Sequence, residues 1–102
     1  MEWCEEALTE YRLAVKFDPK DATTLDNLGV CLKYLERYEE ALAAFDRAVK
    51  LDPENASLHD SRAECLKKLG RDKEAEAAYD RSLRINMEIF ADDFRRLTKF
   101  AK

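Results

Sequence analysis

Residues that break helices are scarce in this chain, with two Gly and two Pro among 102 residues. Collagen-like and low-complexity compositions are excluded, and two glycines cannot build a Gly-rich loop around a phosphate. There is one His. The three Cys are an odd number without CxxC spacing, which makes neither a disulfide framework nor a zinc site. A reducing, cytoplasmic setting is the simplest reading of that cysteine usage. No apolar run approaches the roughly 18 residues of a membrane span. Glu2, Glu5 and Glu6 stand where a secretory signal needs a basic and then an apolar stretch. The net charge of −4 argues against a general attraction to nucleic acid or anionic lipid. What remains, 46% hydrophobic and 39% charged residues rich in Ala, Leu, Glu, Lys and Arg, favours one small, mostly helical domain.

The chain repeats itself at an offset of 34 residues. Residues 5–19 read EEALTEYRLAVKFDP and residues 39–53 read EEALAAFDRAVKLDP, identical at nine of 15 positions without a gap. A further 34 residues on, Glu40-Ala41-x-Ala43-Ala44-Phe45-Asp46-Arg47 returns as Glu74-Ala75-x-Ala77-Ala78-Tyr79-Asp80-Arg81. Cys31-Leu32-Lys33-x-Leu35 returns as Cys65-Leu66-Lys67-x-Leu69. Fixed periods of this size are the mark of solenoids, whose units stack because no single unit buries enough apolar surface alone.

Period and residues together resemble the tetratricopeptide repeat (TPR). Residues 22–55 carry Leu25-x2-Leu28-Gly29-x2-Leu32, Ala41-x3-Phe45-x2-Ala48 and Pro53. Only its two aromatic places are changed, to Leu25 and Leu32. Residues 56–86 are a weaker copy, with His59, Arg62 in place of the usual Leu, Ala63, Leu66, Gly70 and Ala75-x3-Tyr79, and with Met87 where Pro would close it. Residues 1–19 match only the second helix of a repeat. The resemblance implies an all-α solenoid of antiparallel helix pairs in a right-handed superhelix, about six helices forming a single domain over 1–102.

Helices are predicted over about 2–17, 22–35, 38–51, 56–69 and 72–85. Asp18-Pro19 and Asp52-Pro53 end two of them, and Asp21 and Asn55 are candidate N-caps. Gly70 suits a left-handed turn, whereas Glu36 at the equivalent place must make that turn without Gly. The expected core is Ala41, Ala44, Ala48, Ala75 and Ala78, Phe45 or Tyr79 wedged between helices, and Leu28, Leu32, Leu35, Leu42, Val49 and Leu51. Trp3, Ala7, Leu8, Tyr11 and Val15 form a stripe without a first-helix partner, so self-association through this end (Trp3, Leu8, Tyr11) is one expectation. Apolar positions continue with helical period through Leu83, Met87, Phe90, Phe94, Leu97 and Ala101. Either Asn86 breaks the chain and 87–102 is a separate capping helix, or one long helix runs through. The turn at the equivalent Asp52-Pro53 favours the cap.

Little here points to chemistry. His59 sits at a packing position with no nucleophile or metal cluster beside it. Cys31 and Cys65 share one repeat position and read as small buried residues, with Cys4 as the one expected to be exposed. The acids suit i,i+4 pairing on helix surfaces. The expectation is a non-catalytic protein-interaction module, a scaffold or adaptor without cofactor, metal, nucleic acid or membrane partner. In the TPR family the first helices of successive repeats line a concave groove for a peptide or partner domain. The resemblance maps that groove to Thr23, Asp26, Asn27, Val30, Lys33 and Tyr34, then Ser57, Asp60, Ser61, Glu64, Lys67 and Lys68. The lysines would supply charge, Asn27 a hydrogen bond to backbone, and Tyr34 apolar contact. A chaperone-type carboxylate clamp is not expected, because its Lys and Arg would fall at Ser57 and Ser61. Two further readings are a segment of a longer superhelix that stacks or self-associates, and a TPR region attached to a catalytic domain elsewhere.

Overall fold

A computed structural model describes the backbone of residues 2–100 and the side chains of residues 3–97. Five helices follow one another: α1 (Glu2–Phe17), α2 (Ala22–Tyr34), α3 (Tyr38–Leu51), α4 (Ala56–Lys68) and α5 (Asp72–Phe100). Each packs on the one before it, and α2 also touches α4. The radius of gyration is 16.3 Å and the extents are 56 × 32 × 23 Å. A compact domain of this length would have a radius near 13 Å, so the shape is a drawn-out stack of helix pairs.

The inner surface of each pair is lined by small residues. Ala41, Ala44 and Ala48 on α3 are buried, as are Ala75 and Ala78 on α5. They let α2 and α4 come close, and Phe45, fully buried, fills the space that remains. The packing is tight at Gly29, where a Cβ would lie 2.7 Å from the Phe45 ring. One repeat later the same two places hold Ala63 and Tyr79. Leu25, Leu28, Leu32, Leu42, Leu58 and Leu66 complete the buried interior. Leu35 and Val49 pack on its edge, while Leu51 is exposed. The sequence places Leu51 in the core, but it shares a repeat position with Phe17, and both point outward from the last turn of a helix.

Helix ends follow local chemistry. Asp21 caps α2: its carboxylate accepts from the amides of Thr23 and Thr24 and from the Thr24 hydroxyl. The Thr24 hydroxyl first, then the Thr24 amide, hold that carboxyl below its ordinary value, outweighing an opposing effect of burial, with a lesser contribution from the Thr23 amide. Asn55 occupies the cap position of α4 but its side chain does not cap. Its amide donates instead to Asp52, at 3.3 Å. The short turns after α2 and α4 are built alike. Glu36 and Gly70 both take the left-handed conformation, with φ of 60° and 78°. In each, the next amide reaches back to the helix: Arg37 N–H to Leu32 O at 2.9 Å, Arg71 N–H to Leu66 O at 2.8 Å. The Gly is absent from the first of these turns, and Glu36 adopts the strained conformation in its place.

Three expectations need correction. No turn occurs at Asn86: α5 is one helix from Asp72 to Phe100, so a separate capping helix over 87–102 does not form, and the described helices number five. Asn86 and Met87 replace the Asp-Pro pair that ends α3, every amide can still donate, and Asn inside a helix costs only about 0.7 kcal/mol. The Ala101 end of the predicted stripe lies outside the described residues. Leu8 is buried and Tyr11 half-buried against the core, so of the Trp3–Leu8–Tyr11 stripe only Trp3 stands free in solvent. Cys4 is buried as well, beside Cys31.

Ion pairs also depart from the i,i+4 expectation. Those within a helix or its first turn are i,i+3 (Arg37–Glu40, Arg71–Glu74, Arg95–Asp92). The others tie elements together: Arg12–Glu40, Lys33–Glu64, Arg62–Asp46 and Arg81–Glu54. Arg62 stands where the repeat usually has Leu, and the Asp46 carboxylate on α3 receives it.

Two outcomes are expected. Glu36→Gly relieves the left-handed strain and raises the urea midpoint by the equivalent of about 1 kcal/mol, while Gly70→Ala lowers it similarly. A fall with Glu36→Gly would contradict this account of the turn. Burial pushes the Cys31 thiol up and takes that of Cys65 to about 11. The native chain at neutral pH should therefore react with a thiol reagent only as fast as it opens, and all three cysteines should react once urea unfolds it. Rapid labelling of any one of them in the native state would contradict their placement.

Candidate functional site

The first helices α2 and α4 run side by side, so their C-terminal ends converge. Lys33 lies in the last turn of α2, and Glu64, Lys67 and Lys68 occupy the last turns of α4. The tight turns at Glu36 and Gly70 then bring in the start of α3, with Tyr38, and the body of α5, with Tyr79. Together these six side chains line an open depression of about 640 Å³ contributed by four helices. A neighbouring hollow of about 330 Å³ shares Lys67 and Tyr79 and adds Asp72, Ala75 and Glu76 from α5.

Lys33 reaches across from α2 to Glu64, Nζ to Oε2 2.9 Å. Partial burial works to lower its pKa, but the hydrogen bond and charge of Glu64 outweigh this, and the ammonium is held above its ordinary value. Lys33 is therefore a fixed positive charge on the wall. Lys67 and Lys68 are exposed, and neither has an acidic partner among the described residues. Cations at a helix C-terminus also complement the helix dipole. The depression thus offers two unclaimed ammonium groups, one Lys–Glu pair that can reorganise, and two phenol rings whose faces are apolar and whose hydroxyls can donate or accept.

The twelve groove positions drawn from the sequence separate in space. Lys33, Glu64, Lys67 and Lys68 meet in the depression. Tyr34 is exposed on the last turn of α2 and is not among the lining residues. Thr23 and Asp26 lie at the opposite end of α2, in a cleft of only about 40 Å³ with Asp52, Asn55 and Leu58. There burial raises the Asp26 carboxyl above its ordinary value, against the pull of Lys33. Val30 packs on the edge of the core, Ser61 is half-buried, and Asn27, Ser57 and Asp60 face solvent.

Sequence reasoning missed Tyr38 and Tyr79. Tyr79 shares its repeat position with Phe45, which is fully covered, but among the described helices only α4 packs on α5, so Tyr79 stays half-buried and its ring edges the depression. The change from Phe to Tyr was the available signal, because a phenol hydroxyl suits a position that reaches water. His59 is buried, and its Nε2–H donates to the Pro53 carbonyl at 2.8 Å, which ties α4 to the preceding turn. Among the described residues, no group of three or more His, Cys, Asp or Glu is arranged to hold a metal ion, and no helix is long and apolar enough to cross a membrane.

Comparison with known proteins agrees with this geometry. A family model described as Tetratricopeptide repeat matches residues 27–88. Among solved structures, MamA AMB-1 in its P212121 form superposes with a TM-score of 0.81 at 23% identity, over 84% of this chain and 47% of that one. MamA MSR-1 in its C2 form gives 0.80 at 22%, over 83% and 49%. A chain of the CopN-Scc3 complex gives 0.79 at 24%, over 82% and 49%. At such identities the likeness is one of fold, and the chain spans about half the length of these structures. No curated protein matches the sequence. The 34-residue period, the stacked helix pairs with Gly29 against Phe45, and the match over residues 27–88 carry one conclusion: the chain belongs to the tetratricopeptide repeat family.

Proposed function

We propose that this chain is a non-catalytic protein-interaction module, a scaffold or adaptor, and that the depression between α2, α3, α4 and α5 docks an acidic segment of a partner protein anchored by an apolar side chain. The observation that carries the reading is the convergence of Lys67 and Lys68, both without acidic partners, on a hollow walled by Tyr38 and Tyr79. The lysines supply attraction and orientation for carboxylates. The rings supply flat contact area at small entropic cost, as tyrosines do at many interfaces. Glu64 limits non-selective binding: an incoming acid must take over Lys33 or seat itself beyond it, toward Lys67 and Lys68. The groove is narrower than the family resemblance alone implies. It uses the C-terminal ends of the first helices and leaves Thr23, Asp26, Ser57 and Asp60 outside. The CopN-Scc3 match is itself to a protein complex, in keeping with a docking role for such a fold.

The test is capture of partners from lysate by the chain and by Lys67→Glu/Lys68→Glu, which leaves the Lys33–Glu64 pair intact. A Lys50→Glu variant on the exposed face of α3 serves as the control. The double variant should recover a specific partner on the order of tenfold less at low salt, with the difference shrinking as salt rises. Equal recovery by all three proteins would remove the depression as the docking site.

A further inference from the structure

Helix α5 carries two apolar faces. Ala75, Ala78, Ser82 and Ile85 are buried where it packs on α4, the only helix it contacts among those described. The second face consists of Leu83, Met87, Phe90, Phe94 and Leu97, which are between 57% and 71% exposed. At 100° per residue its centre lies roughly 120° around the helix from the first. No described element touches it. The Phe90 and Phe94 rings already stack on one another along it, centroids 6.4 Å apart.

We propose that this second face is a coiled-coil seam through which two copies of the chain pair. The steps 83–87–90–94–97 are 4, 3, 4 and 3, the a/d register of a heptad repeat. Such a strip is one side chain wide and complements another helix carrying the same strip, which a second copy provides. Its limits are sharp on the upstream side, where the same register would place Asp80 and Glu76. The residues flanking the seam are Arg84, Asn86, Ala91 and Asp93, so no row of like charge opposes pairing. Aromatic side chains each bury roughly 150–250 Å². Two Phe, two Leu and one Met from each copy, all more than half exposed, hide on the order of 1,000 Å² over the two copies together, the level at which specific interfaces begin. A next repeat does not compete for the position in register: the residues from Phe90 onward, 34 after Ala56, are themselves spent in α5. An anionic bilayer fits less well, because residues 83–97 set Glu88, Asp92 and Asp93 against Arg84, Arg95 and Arg96 and so carry no net positive charge.

Sedimentation equilibrium of the chain from low to high micromolar concentration tests this. A reversible dimer is expected. Phe94→Glu should weaken it about a hundredfold without lowering the thermal unfolding midpoint read by circular dichroism at concentrations where the parent is monomeric, since Phe94 lies outside the repeat core. Lys67→Glu/Lys68→Glu should leave the dimer unchanged, which separates this seam from the depression. Leu97→Cys should give a disulfide-linked dimer on mild oxidation, whereas the buried native cysteines do not cross-link. A monomer at every concentration, a Phe94→Glu variant that dimerises like the parent, or a monomer that floats with anionic phosphatidylserine vesicles would overturn the proposal.

Discussion

The approach of α2 to α3 at Gly29 is the contact on which the rest of the molecule depends. The Phe45 ring lies where a side chain at residue 29 would be, so α2 can seat on α3 here only with a bare backbone at that position. Leu25, Leu28 and Leu32 are buried in the same cluster as the alanines of α3, and α4 packs on α3 in turn. Overpacking a filled core costs typically 1–3 kcal/mol, more than the helix propensity that a larger residue at position 29 would gain. The second pair uses Ala63 and Tyr79 in the same two places. There the aromatic has only one helix over it, and it becomes part of a surface.

The depression follows from this stacking. Repetition places the last turns of α2 and α4 side by side, and lysines that complement the helix dipole at each end are brought together as a consequence. Two like clusters would repel. Glu64 relieves that on the α2 side by holding Lys33, while Lys67 and Lys68 keep their charge facing outward. Pairs between elements, Arg12–Glu40, Arg62–Asp46 and Arg81–Glu54, run along the stack and favour one register of repeat on repeat. As exposed or half-exposed pairs each is worth little in stability, so their contribution is to alignment, with the apolar interior holding the stack together.

Much of the architecture was legible in the sequence because it is local or repeated. The 34-residue period, the Asp-Pro helix ends, the Asp21 cap and the alanine-lined helix contacts need only neighbouring residues or a copy one period away. Legibility failed where the copy changes its surroundings. Analogy with Asp52-Pro53 predicts a break at Asn86, yet without proline nothing there stops the helix. Phe45 and Tyr79 share a repeat position but not a burial, since α3 packs between α2 and α4 whereas, among the described helices, α5 packs on α4 alone. The twelve groove positions share a helix face in one dimension, but the depression needs the turns at Glu36 and Gly70 to bring in Tyr38 and Tyr79, and such convergence is not written in any one repeat. Leu8 and Cys4 look uncovered in the sequence alone, but α2 receives both: Leu8 joins the core cluster and Cys4 lies beside Cys31.

The docking depression is the central functional claim, and amide chemical shifts of the labelled chain titrated with a peptide alternating Glu and Phe test it most directly. Shifts concentrated at Lys33, Tyr38, Glu64, Lys67, Lys68 and Tyr79, lost when the peptide's carboxylates are amidated, are the predicted result. Shifts confined to the Thr23–Asp26 end of α2, or no shifts at all where the peptide is in excess, would contradict it.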